Sequence, residues 1–251
     1  GRTGGHLFPG IAVIEELRRR SSGVSVLFVG TERGIEARVI PARGERLETM
    51  EVTPLKGQSP ISLLKSVARL PGALGRATTL VRDFAPDLVL GVGGYASGPL
   101  LLAASRLGVP TALLEQNAHV GLTNRLLAGR VGRAYVTFDE TVERFGTERA
   151  RLVGNPVRRD FVSAAQRAVT DPIGFEARAT DILVLGGSQG ARALNQTIPE
   201  ALAKAGLRDA KVRVVHQTGA AMRDEVEARA RALSDAASLK GSIDVMARAY
   251  A

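Results

Sequence analysis

Short apolar runs alternate with amphipathic stretches along this chain, and the alternation limits the possible folds more than any other feature. The runs are predicted strands because they are short, β-rich and mostly without polar alternation, as in strands buried on both faces. They lie at 24–29, 88–92, 111–114, 134–137, 182–185 and 212–215. The stretches between them have helical character at 10–20, 62–69, 100–106, 122–128, 191–196 and 222–232. Strand–helix alternation predicts an α/β fold of parallel sheets with right-handed crossovers.

Two glycine-rich segments divide this pattern into two halves. Thr3–His6 precedes the first predicted helix, and Gly186–Ala191 follows one strand and precedes another helix. Two such turns predict two Rossmann-like units, and proline and glycine cluster with charged residues in 155–180. We place the first domain at 1–157 and the second at 158–251. A strand normally precedes a loop of the first kind, and the second half is short for a domain, so we expect both ends to be cut.

The composition removes several function classes. The 251 residues include no cysteine, which excludes disulfides, thiolate catalysis and cysteine-ligated zinc. The three histidines (His6, His119 and His216) are too far apart in sequence for a spaced metal motif. Aromatic residues are only 4%, which argues against a stacking platform for single-stranded nucleic acid. The net charge of +9 attracts nucleic acid, anionic membranes or phosphorylated ligands without choosing among them.

Both glycine-rich loops suit an anionic or polar ligand, because the helix that follows presents free N–H groups and a positive dipole end. In the second loop, Ser188 and the neighbouring backbone N–H groups can cradle a diphosphate. This loop lacks the Lys-Ser/Thr ending of a P-loop, which argues against nucleotide hydrolysis. In the first loop, His6 stands at the helix entrance, where an imidazole can act near neutral pH or donate hydrogen bonds.

Two further polar segments, 91–99 and 114–117, each follow a predicted strand. The carboxyl ends of parallel strands share one edge of a sheet, which is where ligands bind in open α/β folds. The side chains that we expect around one crevice there, together with His6, are Tyr95, Ser97, Glu115, Gln116 and Asn117.

Five motifs occur in a fixed order: GRTGGHLFPG, GGYASGP, EQN followed by GLTN, GNPVR and GGSQGA. Together they resemble the MurG family of bacterial glycosyltransferases, and the resemblance covers essentially the whole chain. It implies a GT-B type fold of two Rossmann-like lobes facing a cleft, with the second lobe incomplete in this stretch. It also implies an inverting transfer of N-acetylglucosamine from UDP-N-acetylglucosamine to lipid I (undecaprenyl-pyrophosphoryl-N-acetylmuramoyl-pentapeptide). The product would be lipid II, for peptidoglycan synthesis.

The resemblance further implies the partners and the location. The N-terminal lobe would take lipid I at an anionic membrane surface, as a peripheral protein on the cytoplasmic face of the bacterial plasma membrane. The C-terminal lobe would hold the UDP-sugar. The resemblance implies no nucleic-acid partner and no cofactor. It also implies no metal, because a helix N-terminus and an arginine can stabilise the leaving diphosphate without one.

Carried onto this sequence, the family's motifs imply roles for individual residues. His6 and Glu115 are the candidate catalytic residues, with His6 as the favoured base for the acceptor hydroxyl. Arg158 matches a donor-binding arginine, and a guanidinium suits a diphosphate geometrically. The other substrate-binding candidates are Thr3, Gly4, Gly5, Tyr95, Asn117, Asn124, Ser188, Gln189, Gly190 and Ile243.

A cation-ringed apolar patch is predicted near 61–76, and it would suit an anionic leaflet. Its members are Ile61, Leu63, Leu64, Val67 and Leu70 with Lys65, Arg69 and Arg76. The alternative is that these leucines face the core, as the apolar face of an amphipathic helix usually does.

Other functions stay open at this point. The family's later Gly/Glu-rich loop and its Gln pair would lie beyond Ala251, so this stretch alone is not expected to form a full donor site or to be active. One alternative is a related GT-B transferase with a diacylglycerol acceptor, although GGYASGP and EQN favour the peptidoglycan branch. Another is a non-catalytic module that binds a nucleotide or a membrane. An NAD-linked oxidoreductase is disfavoured by the missing GxGxxG fingerprint.

Overall fold

The computed structural model describes residues 4–32, 34–52, 68–170, 180–187, 190–205, 212–237 and 242–246. The helices are α1 (Leu7–Arg20), α2 (Glu36–Ala42), α3 (Leu70–Phe84), α4 (Ser97–Arg106), α5 (Leu122–Leu127), α6 (Asp139–Phe145), α7 (Arg159–Thr170), α8 (Arg192–Lys204) and α9 (Arg223–Ala237). The strands are β1 (Phe28–Gly30), β2 (Leu47–Thr49), β3 (Val89–Gly91), β4 (Thr111–Glu115), β5 (Arg133–Val136), β6 (Ala150–Leu152), β7 (Thr180–Leu185), β8 (Val212–Gln217) and β9 (Ser242–Met246). The chain forms two compact units, Gly1–Ser163 and Ala164–Ala251.

In the described residues of the first unit, the strands form two parallel sheets. β1 pairs with β2, and β3, β4, β5 and β6 follow one another in a second sheet. All five residues of β4 are buried, because this strand has a neighbour on each side and apolar helices pack on the sheet. The core gathers α3 and α4 against β3, β4 and β5, and Leu101 and Leu113 are among its most buried side chains.

A smaller cluster fixes the first helix of this unit. Leu7 and Ile11 of α1 pack with Ile40 of α2, and all three are buried. On the same helix, Gly10 lies so close to Val92 that an added β-carbon would come within 3.1 Å of it. The amino end of α1 is therefore held beside the segment that follows β3.

The second unit is built around a parallel sheet in the order β7-β8-β9. Helices α8 and α9 contact each other. Val214 of β8 and both Val226 and Ala230 of α9 are buried. Strand β7 alternates more than predicted, since Val184 is buried while Leu183 and Leu185 are about half exposed.

The predicted α/β class with parallel sheets is confirmed, because every strand pair in the described residues is parallel. Strand β1 is shorter than the predicted 24–29, since its partner β2 offers only three residues to the ladder. The sequence pattern missed β2, β6 and β9. The two units divide between Ser163 and Ala164, inside α7, whereas the sequence analysis places the domain boundary after 157.

The predicted membrane patch lies only partly within the described residues, because 61–67 fall outside them. Leu70 and Arg69 are exposed at the start of α3. Arg76 is engaged elsewhere, in an ion pair of 3.0 Å with Glu48 of β2. Among the helices of the described residues, none has the length and hydropathy to cross a bilayer.

The arginine run at the end of α1 is largely neutralised by nearby carboxylates. Arg18 pairs with Glu45, while Arg19 and Arg20 both bind Glu16, at 2.6 and 2.7 Å. The hydrogen bonds from Arg19 and Arg20 lower the pKa of Glu16 to about 2. These exposed pairs account for the run as a solvated helix end.

Candidate functional site

The carboxyl ends of β3 and β4 bring the predicted polar segments together. The two strands run parallel, with Gly91 opposite Leu113, so the residues that follow them leave the sheet side by side. The contact between Gly10 and Val92 brings the start of α1 to the same edge. The juxtaposition expected from the sequence is therefore present within the first unit.

His6 is oriented by a hydrogen-bonded chain across this edge. Its Nδ1 atom lies 3.1 Å from Oε1 of Gln116, and Nε2 of Gln116 donates to the carbonyl oxygen of Val92 at 3.1 Å. The second bond fixes the carboxamide so that its oxygen faces the imidazole. Because that oxygen can only accept, Nδ1 carries the proton and Nε2 of the neutral ring keeps its lone pair. The sequence places Gln116 at this edge without indicating that it selects the tautomer of His6.

Glu115 organises the loop that follows β4. Its side chain is 1% exposed, and its Oε1 atom accepts from both the backbone N–H and Nδ2 of Asn117, each at 3.1 Å. Its Oε2 atom accepts from the backbone N–H of Gly121 at 3.2 Å and from Nδ2 of Asn124 at 2.8 Å. Four donors thus converge on one buried carboxylate, a geometry that suits a positioning group.

The two predicted asparagines differ in what they offer a ligand. Asn124 is buried beside Glu115, and its Oδ1 atom has no hydrogen-bond partner in the described part of the chain. Asn117 is exposed, with its amide nitrogen held by Glu115. The structure therefore presents Asn117 at the surface of the site and keeps Asn124 beneath it.

The loop after β3 carries an exposed aromatic side chain on a braced backbone. Tyr95 is 40% exposed. Ser97 is buried instead, and its hydroxyl donates to the carbonyl oxygen of Gly93 at 2.6 Å. Ser97 thus holds the loop, and Tyr95 is the side chain there that a ligand can reach.

The first glycine-rich loop leads into an aromatic–arginine stack. Gly4 is buried and Gly5 is exposed. In the first turn of α1, Phe8 lies with its ring centroid 4.8 Å from Cζ of Arg158. Phe161 lies on the same guanidinium, at 4.9 Å. Phe8 is not among the site residues predicted from the sequence, because no periodic signal marks its contact with an arginine 150 residues away.

The second glycine-rich loop closes onto the end of β8 within the second unit. Nε2 of Gln217 donates to the carbonyl oxygen of Gly187, and the backbone N–H of Gly190 donates to that same oxygen at 2.9 Å. Buried Asn195 of α8 donates through Nδ2 to the carbonyl oxygen of Thr218 at 2.8 Å. The loop is therefore held by β8, and the helix that follows the loop is bonded to the segment after that strand.

Gly190 is the position in this loop where a side chain is least tolerable. Its φ is +75°, and a β-carbon there would lie 1.8 Å from the carbonyl oxygen of Thr218. We expect Gly190→Ala to destabilise the protein by about 2 kcal/mol or more, through positive-φ strain and the clash with backbone. Urea unfolding measures this, with Gly129→Ala as the control, because a β-carbon at Gly129 meets nothing within 4 Å. An unchanged unfolding midpoint for Gly190→Ala would contradict the close approach of Thr218.

Burial makes His216 of β8 a pH-sensitive element of the second unit. The residue is 1% exposed, its Nε2 atom has no hydrogen-bond partner among the described residues, and desolvation lowers its pKa. The unfolded chain binds this proton below about pH 6.5 whereas the folded chain resists it. Stability should therefore fall as the pH drops through that value, by at most about 1.4 kcal/mol per pH unit from this group.

The check is the urea midpoint at pH 7.5 and at pH 5.5, for the native protein and for His216→Asn. The native protein should lose more stability on acidification than the variant does. Equal losses in the two proteins would show that His216 does not titrate differently on unfolding.

Thr3, Ser188 and Gln189 lie outside the described residues. Ile243 lies on β9, where its backbone pairs with Val214 of β8. Within the described ranges, no three His, Asp or Glu side chains converge as a metal site would require.

Comparison with known proteins gives the family. Residues 1–136 match the glycosyltransferase family 28 N-terminal domain, and residues 181–251 match the family 28 C-terminal domain. Two similar relatives are named UDP-N-acetylglucosamine--N-acetylmuramyl-(pentapeptide) pyrophosphoryl-undecaprenol N-acetylglucosamine transferase. The protein of Geotalea daltonii is 42% identical over 251 residues, and that of Anaeromyxobacter sp. (strain Fw109-5) is 45% identical over 253. Both match the whole of this chain, which spans 68% and 65% of their lengths.

Solved structures agree with these matches. MurG of Acinetobacter baumannii has a TM-score of 0.67 at 26% identity, over 99% of this chain and 64% of that one. A UDP-GlcNAc 2-epimerase of Neisseria meningitidis, bound to UDP-GlcNAc, has a TM-score of 0.63 at 16% identity and shares the fold. The match covers 99% of this chain and 71% of the epimerase chain. These likenesses confirm the predicted GT-B type. The chain therefore belongs to glycosyltransferase family 28 and, within it, to the MurG family of N-acetylglucosamine transferases.

Proposed function

We propose that this protein transfers N-acetylglucosamine, with inversion, from UDP-N-acetylglucosamine to lipid I and so forms lipid II for peptidoglycan. The observation that carries the proposal is the match of the whole chain, at 42% and 45% identity, to relatives whose names state this donor and this acceptor. The site supports it, because the first unit holds an oriented imidazole and a stacked arginine.

His6 is the base in this proposal. Its Nε2 atom takes the proton of the acceptor hydroxyl while that oxygen attacks C1 of the donor sugar. The bond from C1 to the diphosphate breaks, and its electron pair leaves with UDP. What supports this role is the bond from Nδ1–H to Gln116, which leaves the lone pair on Nε2. Glu115 acts in the proposal as a positioning residue, since its four hydrogen bonds hold the loop that carries Asn117 and the helix α5 that follows it.

Arg158 binds the donor diphosphate in this proposal. Within the described residues no carboxylate forms an ion pair with Arg158, so its charge is available to an anionic ligand. The carbonyl oxygen of Arg158 accepts from the backbone N–H of Phe161 at 3.1 Å, which puts the arginine at the amino end of α7. A helix N-terminus and a guanidinium both favour a negative charge, and together they stabilise the UDP leaving group without a metal.

The acceptor sets the location. Lipid I is anchored in the membrane by its polyprenyl chain, so the protein works in this proposal as a peripheral protein at the cytoplasmic face of the plasma membrane. The net charge of +9 favours an anionic leaflet. Exposed Tyr95 and Asn117 are the polar groups that we assign to substrate at the edge of the sheet.

The test is a transfer assay on the protein expressed from its complete gene. Radiolabelled UDP-N-acetylglucosamine is supplied with lipid I in one reaction and with diacylglycerol in another, and the lipid products are separated by chromatography. Label should enter lipid I and give lipid II. Label in diacylglycerol alone would overturn the acceptor, and binding of UDP-N-acetylglucosamine without transfer to either lipid would overturn the enzymatic proposal.

A further inference from the structure

We propose that Phe8 is a positioning residue for donor binding. Its ring packs on Gly4 and, together with the ring of Phe161, holds the guanidinium of Arg158 in a position to bind a diphosphate. The functional half of this inference rests on the proposed donor role of Arg158. The structural half rests on contacts within the first unit alone.

The ring of Phe8 packs over Gly4, one helical turn earlier in the chain. The backbone N–H of Phe8 donates to the carbonyl oxygen of Gly4 at 3.0 Å, so the two residues lie one helical turn apart. Side chains of helical residues point back toward the preceding turn, which lays this ring over Gly4. A β-carbon on Gly4 would lie 2.3 and 2.5 Å from Cε2 and Cδ2 of Phe8. A side chain at position 4 would therefore displace the ring from this position.

The rings of Phe8 and Phe161 both stack on Arg158. The Phe8 and Phe161 ring centroids lie 4.8 and 4.9 Å from Cζ of the guanidinium, within the range of cation–π attraction. A guanidinium has apolar faces and a rim of five N–H donors. Stacking restrains the faces and leaves the rim able to bind an anion in bidentate fashion. An ion pair with a carboxylate would have occupied that rim, and Arg158 has none among the described residues.

The stack connects the first glycine-rich loop with the GNPVR segment. Gly4 belongs to the first glycine-rich loop, and Arg158 ends the GNPVR segment. The ring of Phe8 touches both of them and joins two motifs that the sequence separates by most of the first unit. Phe161 contributes from the first turn of α7, and it is 46% exposed. Replacing either phenylalanine should therefore allow the side chain of Arg158 to sample other rotamers.

The experiment measures UDP-N-acetylglucosamine binding by calorimetry, and KM and kcat with lipid I, on the protein expressed from its complete gene. Phe8→Leu should raise Kd and KM for the donor by about 5- to 30-fold, the equivalent of one partly desolvated cation–π contact. The change in kcat should be smaller. Phe8→Tyr keeps an aromatic face and should bind within about twofold of the native protein. If Phe8 had a purely structural role, Phe8→Leu would lower the stability of the protein but would not change KM for the donor more than it changes kcat.

A double-mutant cycle separates this inference from the proposed function. If Arg158→Ala weakens donor binding, Phe8→Leu added to it should cause no further loss, because the ring acts through the arginine. Losses that simply add would overturn the inference while leaving the donor role of Arg158 intact. If Arg158→Ala does not weaken binding at all, the donor role itself fails. Should Phe8→Leu fail to fold, Phe161→Leu tests the same stack from its exposed side, and unchanged affinity there would overturn the inference.

Discussion

Replacing His6 by alanine should lower kcat by about 10²- to 10⁴-fold, the range expected when a general base is removed. The Kd for UDP-N-acetylglucosamine should stay within about threefold, because a base acts on the acceptor hydroxyl in the transition state and adds little to donor binding. The measurement pairs steady-state transfer to lipid I with calorimetry of the donor. His119→Ala is the matched control, since His119 is an exposed histidine.

The Gln116 contact adds a graded variant to the same experiment. Gln116→Leu keeps the imidazole but removes the oxygen that accepts from Nδ1, so the ring can adopt the tautomer that protonates Nε2. Its kcat should fall between those of the native protein and His6→Ala. Near-normal turnover in His6→Ala would remove His6 as the base. Full activity in Gln116→Leu alone would show that orientation by Gln116 is not needed.

Glu115→Gln should destabilise the protein by about 2–5 kcal/mol and remove most transfer activity. The native carboxylate is 1% exposed and accepts from four N–H groups. A carboxamide has one oxygen and one NH₂ group, so one pair of native donors would face another donor, buried and unpaired. The loop that carries Asn117 would then lose its anchor. Urea unfolding gives the stability change, and the transfer assay gives the activity.

Glu148→Gln makes the same chemical change at an exposed position and should alter stability by no more than about 0.5 kcal/mol. The comparison also decides between two roles for Glu115. A positioning residue should lose stability and activity together. A variant that unfolds like the native protein yet fails in transfer would instead support Glu115 as a group that takes part in the chemistry.

The sequence predicted β4 well because its apolar run has no polar alternation, as expected of a strand buried on both faces. All five residues of β4 are buried, and the structure has it at Thr111–Glu115 against a predicted 111–114. Strands β2 and β6 were missed because each is three residues long and carries charge, and their pairing depends on neighbours distant in sequence. Helix α7 was missed because it begins inside a stretch whose proline, glycine and charge resemble a linker.

The location of the site was also readable from the chain. Once β3 and β4 are accepted as adjacent parallel strands, their carboxyl ends must share an edge, so Tyr95 and Glu115 had to approach each other. The partners of each polar group were not readable. Glu115 and Gln116 are neighbours in sequence, yet Glu115 is bound by the loop and helix that follow it, whereas Gln116 reaches across to His6. Successive side chains point to opposite sides, and their partners depend on distances between elements.

The parallel α/β class, the two glycine-rich turns and the edge of the sheet that holds the candidate site could all be predicted from the sequence, since periodicity and strand polarity are local properties of the chain. The contact of Gln116 with His6 and the contacts of Phe8 with Gly4 and Arg158 became visible in the folded protein alone. These contacts depend on how closely α1 packs on Val92 and where α7 begins. Such distances arise from the packing of whole elements, which no local pattern encodes.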